Sequence, residues 1–174
     1  MAAVSAQHLA DIAKFLQTPL GKISTKEELI SRSHGDKTVS GVFNIIFSLL
    51  SESKSSLGPK NILEEAQVRQ WLEYAIVYVL NASSDQNIQT LLKDFNGILR
   101  TKTFLVEDRI TIADVFLYYT ISYIMENLAN ADKEKYLNVS RWFDNLQQNV
   151  SLRQSRKLVD FNINFLYLTN PSRH

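Results

Sequence analysis

Few residues of this chain have the type and spacing that catalysis or metal binding requires. The chain has no cysteine, which removes disulfides, thiolate chemistry and cysteine-based metal sites. Its histidines, His8, His34 and His174, lack the spacing of metal ligands. Asp114 could act as a buried general acid or base. However, Thr111 and Asp114 have the spacing of a helix capping box, and because a box gives the carboxylate a partner, the capping role is favoured.

The capping box would begin a central helix. Ile110 precedes the cap and Val115 is the fourth helical residue, so the pair has the spacing of a hydrophobic staple. From Ile112 to Leu128 apolar residues occupy nearly every helical face, which is typical of a helix surrounded by protein. The sequence therefore predicts a buried helix whose entry angle is fixed by the box and the staple. Losing such a cap costs about 1 kcal/mol.

Composition and charge argue against several classes of function. A chain of 174 residues is long enough for one or two domains with a true core. The net charge of +1 provides no strong field to attract nucleic acid or a membrane surface. The first residues include Asp11 and Lys14 and lack the apolar run of a signal peptide, and no segment has the length and apolarity of a membrane span. We therefore expect an intracellular globular protein that does not contact a membrane.

Residues 1–51 predict a small α/β domain. An amphipathic helix is expected over residues 6–17, where the apolar positions are Leu9, Ile12, Ala13 and Leu16. Short strand-like pieces follow over residues 22–40, with a hairpin turn at 33–36. Ser40 can cap a second helix over residues 41–51. The serine-rich segment 52–61, which contains a Gly-Pro pair, is predicted to be a linker.

Residues 62–174 predict an all-α domain with a C-terminal tail. A long amphipathic helix runs from Val68 to Leu80, Asp85 can cap a second helix, and Asn138 can begin a later one. After Leu152 the apolar residues fit a strand as well as a helix, and we expect an irregular tail packed on the helical domain; these residues are Val159, Phe161, Ile163 and Phe165. The predicted fold class is therefore α+β.

The segment Phe104–Asp114 resembles the signature of the C-terminal domain of the glutathione transferase superfamily. That signature has an aromatic residue and leucine, then Gly-Asp, and then Thr/Ser-Leu/Ile-Ala-Asp. Glu107 stands where the superfamily usually has glycine, so we expect a reshaped loop before the cap. Within the superfamily, the blocks Gln70–Tyr74, Leu91–Asp94 and Lys133–Phe143 are similar to the glutathione-transferase-like scaffold subunits of the multi-aminoacyl-tRNA synthetase complex.

This resemblance implies a degenerate thioredoxin-like domain followed by the all-α domain. It implies a non-catalytic scaffold that needs no cofactor and supports translation. The implied partners are the glutathione-transferase-like domains of methionyl-tRNA synthetase and glutamyl-prolyl-tRNA synthetase, together with other scaffold subunits of the complex. It also implies a cytoplasmic location and a nuclear role in the response to DNA damage.

The alternative is a divergent transferase that conjugates glutathione to electrophiles. Such an enzyme needs a hydroxyl or thiol after a first strand near the N-terminus to stabilise the thiolate. The first tyrosine here is Tyr74, and no convincing strand precedes Ser5 or Ser24. The superfamily also uses a cis-proline before a strand, yet none stands near residues 29–31. Both features argue against the enzymatic alternative.

The resemblance also implies two partner surfaces. The helices at 41–51 and 64–80 commonly form the dimer face of such domains, and on them we expect contacts with methionyl-tRNA synthetase; the candidate residues are Val42, Ile46, Leu50, Arg69 and Glu73. The three apolar residues could equally face the core. The second candidate is Arg141, a cation expected in the first turn of a helix, where it opposes the helix dipole unless a partner receives it.

A basic cluster near the C-terminus raises the possibility of tRNA binding. It consists of Arg153, Arg156 and Lys157, with Phe161 and Phe165 nearby. Three cations in a chain of net charge +1 are a weak electrostatic footprint, so direct binding of nucleic acid is not expected.

Overall fold

The computed structural model describes residues 2–27 and 29–161, with side chains from residue 6 onward. Helix α1 comes first, three strands follow, and α2 closes the N-terminal part: α1 (Ala2–Phe15), β1 (Lys22–Lys26), β2 (Leu29–His34), β3 (Lys37–Ser40) and α2 (Val42–Glu52). The rest is helical: α3 (Ile62–Tyr74), α4 (Asp85–Ile98), α5 (Ile112–Asn127), α6 (Asn130–Lys135), α7 (Leu137–Gln147) and α8 (Val150–Arg153). A π turn, Ala75–Val79, extends α3, and a 3-10 turn, Leu99–Thr101, extends α4. Among the described residues, no helix combines the length and apolarity needed to cross a bilayer.

The three strands form an antiparallel sheet with β2 in the centre. Its register pairs Ser24 with Ser31 and Ser31 with Ser40. Gly35 has a φ of +59° in the turn between β2 and β3, a conformation that glycine adopts at low cost. The predicted hairpin is thus present. The prediction that Ser40 caps α2 is wrong, because Ser40 ends β3 and Gly41 is the residue before the helix.

One buried cation holds this N-terminal part together. The side chain of Arg32 on β2 is 2% exposed and uses all five of its N–H groups. It donates to the carbonyls of Pro19 and Leu20 and to the hydroxyl of Ser48. Its remaining donors form a paired contact with Glu52, at 2.6 and 2.7 Å. Arg32 therefore joins the sheet, the loop after α1 and the end of α2.

Helix α5 is the centre of the core. Every residue from Ile112 to Ser122 is buried, and α5 packs against α1, α3 and α7. A helix buried on all faces needs its ends fixed, because it has no polar face to orient it in water. The prediction of a central helix apolar all round is therefore confirmed in the structure.

Arg109 ties the segment between α2 and α3 to the start of α5. Its guanidinium donates to the carbonyls of Ser56 and Gly58, at 3.1 and 2.9 Å, and pairs with Glu64. The backbone N–H of Ile112 donates to the carbonyl of Leu57 at 3.0 Å. These four contacts give the segment fixed anchors on the helical part, even though its composition is typical of a linker.

The chain after α8 packs on the helices without regular structure as far as residue 161. Gln147 on α7 exchanges two hydrogen bonds with the backbone of Val159, at 2.8 and 2.9 Å. The ring of Phe161 lies 6.1 Å from that of Phe143. This agrees with the predicted irregular tail, whereas Ile163 and Phe165 lie outside the described residues.

Candidate partner-binding surfaces

The outer face of α2 and α3 combines an ion pair with an aromatic ring. The guanidinium of Arg69 lies 4.5 Å from the ring centroid of Phe47 and donates to Glu65, at 3.0 and 2.8 Å. The side chains of Arg69 and Glu65 are 46% and 42% exposed. At the start of α3, Ile62 and Leu63 are 87% and 64% exposed. An arginine held over an aromatic ring beside exposed apolar side chains is the composition typical of a protein-binding surface.

The apolar residues predicted on α2 do not form this face. Ile46 is fully buried and Leu50 is 8% exposed, and both belong to the core of the chain. The prediction that they contact a partner is wrong, because the apolar stripe of α2 packs against α1 and the sheet. Val42 is partly buried against that core, whereas Glu73 on α3 is exposed. The helical spacing of α2 also failed to single out Phe47, which lies under Arg69.

Arg141 is exposed on α7, yet it has acceptors within the chain. Its Nη2 donates to the carbonyls of Leu99 and Lys102, at 2.9 and 2.7 Å. These carbonyls end the helical segment that includes α4, where a cation complements the negative end of the helix dipole. In addition, α7 begins at Leu137, so Arg141 lies in its second turn. The inference that Arg141 needs a partner to relieve a dipole mismatch is therefore wrong. Its contact with a partner remains a prediction.

The carboxylate of Asp114 accepts four hydrogen bonds. Oδ1 accepts from the backbone N–H of Leu105 and from Nε1 of Trp142, and Oδ2 accepts from the backbone N–H and the hydroxyl of Thr111; all four distances are 2.9–3.0 Å. Thr111 and Asp114 form the capping box at the start of α5. Burial raises the pKa of Asp114, and these four donors oppose the rise. With both oxygens engaged and no exposed surface, Asp114 positions α5 and α7 and is not placed to exchange protons with a substrate.

The burial of Ile110 and Val115 is compatible with the predicted hydrophobic staple, and their mutual contact stays a prediction. Val115 is fully buried, and Ile110 is partly buried against the core. Glu107, three residues before Ile110, has a φ of 55°. It therefore adopts the left-handed backbone conformation that a glycine at this position would take at lower cost.

The backbone at Glu107 gives a direct prediction. We expect Glu107→Gly to be more stable than Glu107→Ala by about 1 kcal/mol, because both remove the carboxylate and only glycine relaxes the positive φ. Urea unfolding of the two variants measures the difference. The neighbouring Asp108, which has no positive φ, is the control: there the alanine variant should be the more stable one. Equal stabilities at position 107 would contradict the assigned backbone strain.

The basic cluster is largely engaged within the chain. Nη1 of Arg153 donates to the carbonyl of Gln147 at 3.0 Å. Arg156 pairs with Asp11 on α1, and its guanidinium lies 4.6 Å from the ring centroid of Tyr119. Only Lys157 of the three is exposed to solvent without such a contact among the described residues. The pair with Asp11 neutralises Arg156, whereas Arg153 keeps its charge beside a neutral carbonyl, so the cluster offers a polyanion two cations.

The two described histidines, His8 and His34, have different surroundings. His8 is 8% exposed on α1, and burial lowers its pKa. His34 lies 3.5 Å from Glu52, and His174 is outside the described residues. Within residues 2–27 and 29–161, no group of three metal-binding side chains is present. Because α1 begins at Ala2, no strand of the described chain precedes Ser5, while Ser24 lies within β1 opposite Ser31.

Sequence comparisons find relatives that cover most of the chain. A family described as nuclear-export cofactor Arc1p matches residues 64–150. Eukaryotic translation elongation factor 1 epsilon-1 of Cricetulus griseus is 39% identical over 139 residues, which cover 79% of this chain and 80% of that protein. The tRNA-aminoacylation cofactor arc1 of Schizosaccharomyces pombe is 27% identical over 164 residues, which cover 89% of this chain and 35% of that protein.

Comparison with solved structures gives the fold. The glutathione-transferase-like domain of elongation factor 1-gamma from Saccharomyces cerevisiae superposes with a TM-score of 0.66 at 16% identity, covering 91% of each chain. A glutathione transferase of Bombyx mori superposes with a TM-score of 0.70 at 18% identity, covering 92% of this chain and 89% of the other. Identities this low show the fold alone. The predicted α+β, glutathione-transferase-like fold is confirmed.

The family resemblance found in the sequence is confirmed as well. It was carried by blocks in the α3, α4 and α7 regions, and the epsilon-1 relatives match over 80% of their own length. That protein is also called aminoacyl-tRNA synthetase complex-interacting multifunctional protein 3. With 39% identity over 139 residues, the chain belongs to the family of eukaryotic translation elongation factor 1 epsilon-1.

Proposed function

We propose that this chain is a non-catalytic interaction subunit of the multi-aminoacyl-tRNA synthetase complex. In this role it supports translation by binding the glutathione-transferase-like domains of methionyl- and glutamyl-prolyl-tRNA synthetases and by contacting other scaffold subunits. The names of its relatives, an elongation factor component and a tRNA-aminoacylation cofactor, support a role in translation. The structural observation that carries the proposal is the α2/α3 face, where Arg69 is held over Phe47 beside the exposed Ile62 and Leu63.

The two synthetase domains are assigned to different surfaces. Methionyl-tRNA synthetase is assigned to the α2/α3 face, with Arg69 and Glu73 at its centre, because the exposed apolar residues lie there. Glutamyl-prolyl-tRNA synthetase is assigned to the surface around Arg141. Two separate surfaces allow both domains to bind at once, which a scaffold subunit requires.

Charge reversal at Arg69 tests the first surface. We expect Arg69→Glu to weaken binding of the methionyl-tRNA synthetase domain at least 30-fold, because the change removes the guanidinium and places like charges beside Glu65. Arg141→Ala should leave that affinity within twofold while weakening the glutamyl-prolyl domain about tenfold. Isothermal titration of each domain, with thermal unfolding as a check on folding, measures both effects. Unchanged affinity of folded Arg69→Glu would remove the α2/α3 face from the proposal.

The divergent transferase is the competing function, and its test is direct. The shared fold with a Bombyx mori glutathione transferase motivates it. The position of α1 before every described strand speaks against a strand-supported hydroxyl or thiol near the N-terminus. We expect no conjugation of glutathione to 1-chloro-2,4-dinitrobenzene above the rate without protein. Turnover that scales with protein concentration would support the transferase instead.

We propose a cytoplasmic location with a nuclear pool, and no direct contact with nucleic acid. The ion pair of Arg156 with Asp11 supports the proposed absence of contact with nucleic acid. Microscopy of a fluorescent fusion tests the location. Filter binding of tRNA across a salt series tests whether the chain contacts nucleic acid. Salt-dependent retention of tRNA at micromolar protein would contradict the proposal that it does not.

A further inference from the structure

A groove lies between the end of α3 and the start of α4, next to the proposed α2/α3 face, because its lining residue Tyr74 directly follows Glu73. Its volume is about 560 Å³. Apolar and aromatic side chains make most of its lining, and one carboxylate is present; the residues used below are Tyr74, Val77, Tyr78, Ala82, Leu91 and Asp94. Val77 and Tyr78 are 46% and 60% exposed, so two large side chains of the groove are open to solvent.

The helix is irregular where it forms the groove. Residues Ala75–Val79 make a π turn, closed by a hydrogen bond of 3.0 Å from the N–H of Leu80 to the carbonyl of Ala75. Single π turns are rare and frequently occur at functional sites. This π turn lies directly after Tyr74 and contains Tyr78. The ring centroids of Tyr74 and Tyr78 are 5.2 Å apart, and the two ring planes are tilted by 42°. The two rings form one wall of the groove.

This wall rests on the aromatic core. Tyr74 lies 5.5 Å from Trp71 and 6.3 Å from Phe95, and Phe95 lies 5.2 Å from Trp142, which donates to Asp114. The position of Tyr74 is therefore set by buried rings. A binding surface whose side chains are held in place before binding loses less entropy when a ligand arrives.

Asp94 supplies the carboxylate among the residues that line the groove. The amide of Asn81 already donates to the carbonyls of Ile76 and Val77, and the hydroxyl of Thr90 donates to that of Gln86. Asp94 is exposed and, among the described residues, has no cation within 4 Å. Burial and the charge of Asp94 raise the pKa of Tyr74 to about 12, so its phenol is neutral at physiological pH.

We propose that this groove binds an arginine side chain presented by a partner protein, with the guanidinium over the ring of Tyr78 and paired with Asp94. Guanidinium groups combine stacking on aromatic faces with paired hydrogen bonds to carboxylates, and the groove offers both. Val77, Ala82 and Leu91 provide contacts for apolar residues on either side of that arginine. The assignment does not depend on which synthetase domains the chain binds.

The chemistry of the lining favours this occupant over an anion. Among the described residues no cationic side chain lines the groove, so a phosphate or a nucleic acid would find a carboxylate and no counter-charge there. The chain already uses the proposed pairing twice within itself, in Arg69 over Phe47 and in Arg156 over Tyr119, at 4.5 and 4.6 Å. In both cases the guanidinium also binds a carboxylate, that of Glu65 or Asp11.

A short peptide tests the proposal on the full chain. The probe is acetyl-Leu-Arg-Leu-amide, and its control replaces arginine with citrulline, which keeps the shape and removes the charge. Backbone amide shifts in two-dimensional NMR follow the titration. We expect saturable shifts confined to residues 74–94, at least fivefold weaker binding of the citrulline peptide, and at least fivefold weaker binding of the arginine peptide to Asp94→Asn and to Tyr78→Ala.

Matched variants separate this site from general effects. Asp85→Asn and Tyr123→Ala change another exposed carboxylate and another exposed tyrosine, and both should bind the arginine peptide as the wild type does. Because Asp94 is exposed and makes no ion pair with another described residue, Asp94→Asn should keep the wild-type melting temperature, so its result stands even if Tyr78→Ala unfolds. Absence of saturable shifts, equal binding of the citrulline peptide, or full binding by Asp94→Asn would each overturn the proposal. So would a concentration-dependent dimer abolished by Tyr78→Ala, which would assign the groove to a second copy of the chain.

Discussion

Replacement of Asp114 by asparagine should lower the free energy of unfolding by about 3 kcal/mol, because it removes acceptors from buried donors. Each carboxylate oxygen accepts two hydrogen bonds, so either orientation of the amide turns an NH2 group toward two donors. Leaving a buried donor unpaired costs about 1–3 kcal/mol, and relief from burying a charge offsets part of that cost. For a chain of this size the melting temperature should fall by roughly 6–12 °C.

The control is the same substitution at an exposed site. Asp85 lies in the first turn of α4, and Asp85→Asn should cost only a few tenths of a kcal/mol. A double-mutant cycle with Trp142→Phe isolates the hydrogen bond between the indole and Oδ1 of Asp114. An Asp114→Asn variant that melts within 2 °C of the wild type would show that the carboxylate does not organise the start of α5.

The second large effect is expected at Arg32. Arg32→Met should lower the free energy of unfolding by about 3 kcal/mol, because it leaves Glu52 and the carbonyls of Pro19 and Leu20 without their donors. Glu52→Gln should cost less, about 2 kcal/mol, since its side chain is 31% exposed and water can solvate the site. Urea unfolding of both variants and of the double variant measures the coupling.

The loss caused by Glu52→Gln should depend on pH. Arg32 holds the pKa of Glu52 at about 2, below its ordinary value of 4.5. A lowered pKa means that the ionised carboxylate stabilises the fold fully above about pH 4.5, and that this contribution fades as the pH falls toward 2. The stability difference between the wild type and Glu52→Gln should thus be fully present at pH 5 and shrink below pH 4. A constant difference down to pH 3 would contradict the assigned pairing.

The sequence was most informative where the interactions are local. Thr111 and Asp114 are three residues apart, and a capping box depends on that spacing alone. The apolar pattern of α5 and the turn at Gly35 also depend only on residues close together in the sequence. The donors that Leu105 and Trp142 supply to Asp114 lie 9 and 28 residues away, and no spacing rule indicates them.

Contacts between distant segments explain what could not be predicted. Arg32 gave no signal in the sequence, because its acceptors on α2 are 16 and 20 residues away. Helical spacing placed Ile46 and Leu50 on one face of α2, yet only the packing of α1 and the sheet shows that this face is the core. The sequence interpretation of Arg141 considered only the dipole of its own helix. The carbonyls that accept from Arg141 lie 42 and 39 residues earlier, at the end of the α4 region.

These internal contacts bear on how the chain can serve as a scaffold. Arg32 fixes α2, Arg109 fixes the segment before α3, and together they set the relative position of the two helices that carry the proposed synthetase surface. A surface preorganised in this way needs no rearrangement to bind a similar domain. The substitution Arg32→Met should consequently weaken partner binding, even though the side chain of Arg32 is buried.

The central proposal is that this chain binds a synthetase domain through a surface of its own. Size exclusion with light scattering tests it most directly, using an equimolar mixture of the purified chain and the glutathione-transferase-like domain of methionyl-tRNA synthetase from the same organism. We expect one peak with the summed mass of one copy of each, and Arg69→Glu should return two separate peaks. Two peaks for the wild-type mixture at tens of micromolar protein would contradict the account.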